Sequence, residues 1–245
     1  MIDRARAVAF DHVSKSFGAK QVLRDVSLEV RDGEALCIVG RSGTGKSVTL
    51  KLIVSLLKPD HGSIWIGQDE ITRLGESGLS KVRRQMGFLF QDAALFDSLT
   101  LYENLALPLQ RLTGKSREEV DFIVDRTLRQ VGLAGDKRKM PSELSGGMRK
   151  RAGLARALVL EPKILLADEP SSGLDRITAS EIDELLLRQK AEHQTTLIVV
   201  THDVRGARRV GDRLAILDQG SLIAAGTFAE IEHNESEVAR ELVTE

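Results

Sequence analysis

The chain has 245 residues, enough for one large α/β domain or for two lobes that share a core. Its net charge of −1 gives no general attraction to nucleic acid, and its single cysteine excludes a disulfide framework. No apolar run reaches the ~18 residues of a membrane-spanning helix, and residues 1–6 carry charges with no apolar stretch behind them, so we predict neither a membrane span nor a secretory signal.

The first third of the chain is typical of β-strands separated by turn residues. The continuous apolar run from Ala35 to Val39 predicts a strand buried on both faces of a parallel sheet, with Cys37 as a small apolar side chain inside it. A helix is predicted from Lys46 to Leu57. Further short, β-prone strands are predicted at residues 7–10, 22–30 and 63–66.

The middle third changes to helical patterns. Glu119 follows Ser116 by three residues, which predicts a capping box at the start of one helix. We predict that residues 91–158 form a helical lobe inserted into an α/β core. Its helices are predicted at residues 102–107, 116–131 and 146–160.

The last third returns to alternating strands and helices. The predicted core therefore consists of residues 6–90 and 159–232, followed by a tail at 233–245 that forms a short surface helix. The predicted elements are strands at 164–167 and 197–200, a helix at 178–191, and a closing hairpin at 215–218 and 221–224.

The pattern G-x-x-x-x-G-K-[ST] is complete between an apolar strand and a helix, which is the context of a phosphate-binding loop. In such a loop backbone N–H groups wrap the phosphates, Lys46 reaches the β- and γ-phosphates, and the Ser47 hydroxyl binds Mg²⁺. We therefore predict ATP and Mg²⁺ as cofactors. The predicted phosphate-binding residues are Gly40, Arg41, Ser42, Gly43, Thr44, Gly45, Lys46 and Ser47.

An acidic pair supplies the second half of such a site. The strand at 164–167 delivers Asp168 to its carboxyl end, where ligands of α/β sheets bind. Asp168 is predicted to hold Mg²⁺ through its water shell, and Glu169 to polarise or deprotonate the attacking water. The alternative is an ordinary acidic turn, which the phosphate-binding loop disfavours.

Four further residues have two interpretations each. His202, after the strand at 197–200, either senses the γ-phosphate or caps a loop. Gln91 either touches Mg²⁺ and the attacking water or is a surface turn residue. Phe17 either stacks on adenine or fills the core under the sheet. Asp175 either crosses a dimer seam to couple two sites or is an acid at a helix N-terminus.

The run Leu144–Met148 forms a Ser-Gly-Gly turn that opens a helix. Ser145, Gly146 and Gly147 offer a hydroxyl and free backbone N–H groups to an anion. We predict that this turn reads the γ-phosphate held by a second copy, which implies a homodimer. The basic runs at 137–139 and 149–151 are predicted to be solvated faces.

These motifs, in this order and over about Ala7 to Ile231, resemble the ATP-binding subunit of an ABC transporter. The resemblance implies a P-loop NTPase fold with a RecA-like parallel sheet, an N-terminal antiparallel β layer and the inserted helical lobe. It also implies a dimer joined head to tail around two ATP molecules. Each site would combine Lys46, Ser47, Gln91, Asp168, Glu169 and His202 of one chain with Ser145 and Gly147 of the other.

Four segments are similar to the MlaF branch of that family: 90–100, 103–109, 144–151 and 168–175, and Met148 stands where glutamine is usual. That branch implies lipid transport with an MlaE-like integral-membrane permease, an Mce-domain partner and a small STAS-like subunit. The chain would then lie on the cytoplasmic face of the inner membrane. Residues 93–109 are expected to form the groove for a permease helix.

Two alternatives remain. The chain is an ATPase subunit of an importer for another small substrate, or it is a DNA-repair type ABC ATPase. The second class carries long heptad arms between its two halves, whereas residues 91–158 contain no heptads and no basic stripe. We therefore predict no nucleic-acid partner.

Overall fold

A computed structural model describes residues 6–244, so the predicted absence of a signal within residues 1–5 lies outside the described residues. Its strands form two sheets. The strands are β1 (Arg6–Phe17), β2 (Lys20–Arg31), β3 (Ala35–Val39), β4 (His61–Ile66), β5 (Asp69–Glu70), β6 (Met86–Leu89), β7 (Ile164–Asp168), β8 (Thr196–Thr201), β9 (Arg213–Asp218) and β10 (Ser221–Gly226).

The first sheet is antiparallel and has the order β2-β1-β4-β5. Along β2, the buried side chains of Val26, Leu28 and Val30 alternate with the exposed Ser27 and Glu29. This period of two places one apolar face of the sheet against the core.

The second sheet has the order β10-β9-β3-β8-β7-β6, and β10 is its antiparallel edge. The other neighbouring strands pair in parallel. Every residue of β3 is buried, as predicted, because both faces of the sheet are covered. Leu36 and Ile38 enter the core on one face, and Cys37 enters the core on the other. Burial raises the pKa of the Cys37 thiol to about 12.

The helices form separate layers around this sheet. The helices are α1 (Lys46–Ile53), α2 (Glu76–Arg83), α3 (Leu101–Leu112), α4 (Arg117–Gln130), α5 (Gly146–Leu158), α6 (Arg176–His193), α7 (Val204–Val210), α8 (Phe228–Glu232) and α9 (Glu237–Thr244). α1 packs with the antiparallel sheet on one face, and α6 to α9 cover the other face.

Helices α3, α4 and α5 share a hydrophobic core of their own. The predicted capping box of α4 is present: the Glu119 carboxylate accepts from the Ser116 N–H at 2.7 Å, and the Ser116 hydroxyl accepts from the Glu119 N–H. A second box, Thr100 with Glu103, begins α3. α5 also packs on β6, which joins this helical group to the parallel sheet.

Three local predictions were wrong. α1 ends at Ile53 rather than Leu57, because Ser55 adopts a left-handed conformation and Arg83 donates to the Val54 and Ser55 carbonyls. α2 was missed because its short sequence contains few apolar residues. The tail helix α9 is not confined to the surface, since Ala239 and Val243 are buried in the core beside α6 and α7.

None of the helices between residues 6 and 244 combines the length and the hydropathy that crossing a bilayer requires.

Candidate active site

A cavity of about 660 Å³ lies where the parallel strands end. Its walls come from the segments that follow β3, β6, β7 and β8, together with the first hairpin. This edge of an open α/β sheet is where ligands bind. The lining residues are Phe17, Lys20, Val22, Ser42, Gly43, Gly45, Lys46, Ser47, Val48, Gln91, Glu169, Ser172 and His202.

The loop between β3 and α1 is wrapped around the Lys46 ammonium. Lys46 Nζ donates to the carbonyl oxygens of Gly40 at 2.8 Å and Arg41 at 3.1 Å. Burial lowers the pKa of Lys46, and the carboxylates of Glu169 and Asp168 oppose that shift. α1 begins here without a side-chain cap, so its first N–H groups remain available to an anion.

Ser47 and Asp168 form the deepest polar pair of the site. The Ser47 hydroxyl donates to Asp168 Oδ1 at 2.8 Å, and Asp168 is buried at the end of β7. Burial raises the pKa of Asp168, and the hydrogen bond from Ser47 opposes that shift. A hydroxyl and a carboxylate are hard oxygen donors, so these residues fit Mg²⁺, which typically takes one or two carboxylates plus phosphates and water.

Glu169 follows β7 with its carboxylate held between two side chains. His202 Nδ1 lies 2.9 Å from Glu169 Oε2, and the Thr201 hydroxyl donates to the same oxygen at 3.3 Å. The Glu169 backbone has φ 47°, a left-handed conformation that is uncommon for a residue with a side chain. The Glu169 carboxylate therefore has a defined orientation at the carboxyl end of β7, where it can accept a proton from water.

Gln91 lies on the exposed segment after β6 and reaches the cavity. The next residues are unusual, because Ala93 and Ala94 both have left-handed backbones. The Arg156 guanidinium on α5 donates to both of their carbonyl oxygens. Gly153 on the same helix leaves no room for a Cβ, which would lie 2.7 Å from Ala93 Cβ. The position of Gln91 thus depends on α5.

Phe17 lies at the wall of the cavity with 48% of its surface exposed. Lys15 Nζ lies 5.5 Å from the centre of its ring. The interpretation of Phe17 as a core aromatic was wrong, because β1 reaches its end here and the ring projects beyond the sheet. Stacking on adenine stays a prediction.

The Ser-Gly-Gly turn lies apart from this cavity. Ser145 caps α5 by accepting from the Met148 N–H at 3.2 Å. A Cβ on Gly147 would lie 2.5 Å from Thr178 Cγ2, so the turn packs closely on α6. Ser145, Gly146 and Gly147 are not among the lining residues.

Asp175 caps α6, in agreement with the interpretation of this residue as an acid at a helix N-terminus. Its carboxylate accepts from the N–H groups of Ile177 and Thr178 at 3.0 and 3.1 Å and from the Thr178 hydroxyl at 2.7 Å. These hydrogen bonds hold the pKa of Asp175 below its usual value. This cap explains why α6 begins at Arg176, two residues before the predicted start.

Three predicted loop residues are not among the residues that line the cavity: Gly40, Arg41 and Thr44. Sequence analysis missed Ser172 and, more importantly, Lys150. The prediction that residues 149–151 form a solvated face was wrong at Lys150, which is buried against Glu169 and Ser172. The signal was available, since Lys150 precedes Gly153 and Leu154 by three and four residues and so shares their buried helix face.

A parallel sheet with a phosphate-binding loop after β3 and an acidic pair after β7, on the far side of β8, defines the P-loop NTPase class. The family model described as ABC transporter matches residues 23–172. The chain therefore belongs to the ABC transporter family, as an ATP-binding domain.

Relatives and solved structures agree with this assignment. The chain is 45% identical over 220 residues to a probable ribonucleotide transport ATP-binding protein mkl of Mycobacterium leprae, covering 90% of this chain and 63% of that protein. It is 40% identical over 235 residues to the methionine import ATP-binding protein MetN 1 of Bacillus cereus, covering 94% and 68%. The chain thus spans less than two thirds of the length of the mycobacterial relative.

Two solved structures share the fold. A dimeric ATP-binding cassette, MJ0796, in a post-hydrolysis state bound to ADP and Pi, has a TM-score of 0.84 at 35% identity, covering 90% of this chain and 98% of that one. The second structure is cbiO1 of Clostridium perfringens, part of the ABC transporter complex cbiONQ, with a TM-score of 0.83 at 26% identity and coverage of 97% of this chain and 99% of that one. The fold class predicted from the sequence is confirmed.

Proposed function

We propose that this chain is the ATP-hydrolysing subunit of an ABC transporter, acting as a head-to-tail homodimer that drives a separate permease. One observation carries the proposal. A single cavity is lined by Lys46, Ser47, Glu169 and His202, and Asp168 is hydrogen-bonded to Ser47 beside it; these residues come from three separate regions of the sequence.

Each side chain has a role that follows from its position. Lys46 and the N–H groups at the start of α1 bind the phosphates of ATP. Glu169 accepts a proton from the attacking water, and His202 and Thr201 keep its carboxylate oriented. Ser47 and Asp168 would hold Mg²⁺, with Gln91 as a further ligand, and the ion would neutralise charge on the phosphates.

Ser145 does not line the cavity of its own chain, which supports a role toward the nucleotide of a second copy of the chain. Ser145 and Gly147 present a hydroxyl and a helix N-terminus but line no phosphate site of their own chain. A partner chain related by a head-to-tail arrangement would place them against the γ-phosphate held by Lys46. The structure of MJ0796 is dimeric and bound to ADP and Pi, which supports a second copy. Asp175, near the start of α6, would lie at the seam between the copies.

An exposed segment of the helical lobe supports a permease partner. We propose residues 91–158 as this lobe and residues 93–109 as its docking groove. Phe96 is 52% exposed, whereas Leu105 of the same segment is fully buried. Phe96 would thus contact a permease helix while Leu105 fills the lobe. The chain would then lie on the cytoplasmic face of the inner membrane.

The cargo is proposed from resemblance. The MlaF-like segments favour lipid transport with an MlaE-like permease, an Mce-domain partner and a STAS-like subunit. The names of the relatives, for ribonucleotide transport and methionine import, favour a second candidate, an importer of another small substrate. Co-purification from detergent-solubilised membranes separates the two: an Mce-domain protein supports the first, and a periplasmic or surface binding protein for a small solute supports the second.

The variant Glu169→Gln tests the ATPase dimer. Without the carboxylate, ATP should persist between the two copies and trap the closed dimer. Light scattering coupled to size exclusion should show a dimer in saturating ATP and Mg²⁺ and a monomer without nucleotide.

Glu192→Gln, at the exposed end of α6, is the matched control and should remain in the wild-type equilibrium. A Glu169→Gln chain that stays monomeric in saturating ATP would contradict the proposed dimer.

A further inference from the structure

Lys150 is a buried lysine on α5 that contacts the turn after β7. It is only 7% exposed, and its Nζ donates to the Glu169 carbonyl oxygen at 2.7 Å and to the Ser172 hydroxyl at 3.3 Å. Enclosing an ammonium is costly unless its hydrogen bonds are made. These two bonds are therefore the principal reason why the side chain points inward.

The Glu169 carbonyl oxygen accepts three hydrogen bonds in this turn. Besides Lys150, it accepts from the Ser172 N–H at 3.2 Å and from the Ser172 hydroxyl at 3.0 Å. The Glu169 N–H donates to the Val200 carbonyl oxygen at 2.8 Å. Both sides of the left-handed residue are thus fixed by hydrogen bonds, and the direction of its carboxylate follows from that backbone.

The Lys150 ammonium also interacts electrostatically with three carboxylates of the site. Burial lowers the pKa of Lys150, and the carboxylates of Asp92, Glu169 and Asp168 oppose that shift. Because Lys150 approaches Glu169 from the backbone side, it leaves the carboxylate free to contact His202 and Thr201.

We propose that Lys150 is a positioning residue for Glu169: its hydrogen bond to the Glu169 carbonyl oxygen holds the left-handed backbone that aims the carboxylate at the attacking water. The inference rests on the proposed ATPase function. Lys150 does not touch the nucleotide cavity, so it acts on the rate of hydrolysis and leaves ATP affinity largely unchanged.

The test compares Lys150→Met and Lys150→Arg with the control Lys163→Met in the full chain. Lys163 is exposed and lies before β7. We expect Lys150→Met to lower kcat about tenfold to a hundredfold, as loss of positioning does, with the Kd for a fluorescent ATP analogue within about twofold of wild type. Lys150→Arg retains a donor and should recover most of kcat, and Lys163→Met should match wild type.

A wild-type kcat in Lys150→Met would overturn the inference, as would a kcat lowered equally in Lys150→Arg. Should Lys150→Met fail to fold, Lys150→Ala, which also lacks a donor, replaces it, with thermal melting as the check, and the same separation of kcat from Kd is required. Failure of the proposed function would be distinct: wild type would then show no Mg²⁺-dependent turnover, and Glu169→Gln would form no ATP-dependent dimer.

Discussion

Gly45, at the start of α1, shows how a single residue shapes the phosphate-binding loop. Its φ of 105° is strained for any residue with a Cβ, and a Cβ there would lie 2.8 Å from the Val22 carbonyl oxygen and 2.7 Å from Leu23 Cδ2. Gly43 has a similar φ of 82° but nothing within 4 Å of its Cβ position. A substitution at Gly43 therefore introduces backbone strain alone, whereas one at Gly45 introduces strain and steric overlap.

We predict that Gly45→Ala lowers the free energy of unfolding by about 3 kcal/mol, because it combines strain with overpacking against β2. Gly43→Ala, its matched control, should lose about 1 kcal/mol from strain alone. Urea denaturation of the nucleotide-free chain measures both. Equal losses in the two variants would show that the contact with Val22 and Leu23 relaxes without cost.

At the scale of secondary-structure elements, α6 contacts α7, the helix that follows His202, through an ion pair. Asp183 on α6 is nearly enclosed, and Arg209 Nη1 on α7 lies 3.0 Å from its Oδ2. Burial raises the pKa of Asp183 to about 6, with Arg209 opposing that shift and Asp203 adding to it. The folded chain thus binds a proton at Asp183 more tightly than the unfolded chain, whose carboxyl titrates near its ordinary pKa.

This difference sets the sign of a pH effect. Between the unfolded and folded pKa values, ionisation favours the unfolded chain, so the contribution of Asp183 to stability falls as the pH rises from about 4 and levels off above about 6. Asp183→Asn removes that titration. We predict that, relative to wild type, the unfolding free energy of Asp183→Asn improves by about 1 kcal/mol between pH 5 and pH 7.

Urea denaturation at several pH values measures this change. Loss of the ion pair to Arg209 adds an offset, so the change with pH is the decisive quantity. Glu184→Gln removes a carboxylate from the exposed side of the same helix and serves as the control. A difference between Asp183→Asn and wild type that stays constant or moves the other way would contradict the prediction.

At the scale of the whole molecule, the proposed shared site draws on two regions of the chain. Lys46 lies in the cavity, and Ser145 caps the N-terminus of α5. In a head-to-tail dimer, a Lys46→Ala chain still offers an intact Ser145, and a Ser145→Arg chain still offers an intact Lys46. A mixed dimer therefore contains one complete site.

We predict that each variant alone lacks ATP turnover and that mixing equal amounts restores about a quarter of the wild-type sites, as random pairing in a two-fold dimer requires. Phosphate release measures the recovery. The double variant Lys46→Ala, Ser145→Arg is the control and should restore nothing to Ser145→Arg. Wild-type turnover by Ser145→Arg alone would exclude the shared site.

The sequence predicted those features that depend on neighbours along the chain. The loop at 40–47, the acidic pair after β7 and the capping box of Ser116 each act through residues a few positions apart, so their spacing alone carries the chemistry. The apolar runs of β3 and β8 likewise indicated a parallel sheet buried on both faces. Local spacing was insufficient for α2 and for the end of α1, where distant side chains and few apolar residues decide the structure.

By itself, then, the sequence determined the fold class and predicted a phosphate-binding loop at residues 40–47, because short-range spacing and hydrophobic period are properties of the chain. The tertiary structure decided which side chains meet. The order of β7 beside β8 brings His202 to Glu169, and the packing of α5 turns Lys150 inward. Contacts between residues distant in sequence depend on which elements pack together. The spacing of Lys150 from Gly153 and Leu154 indicates a shared helix face, but only the packing of α5 shows that the ammonium meets the Glu169 carbonyl oxygen.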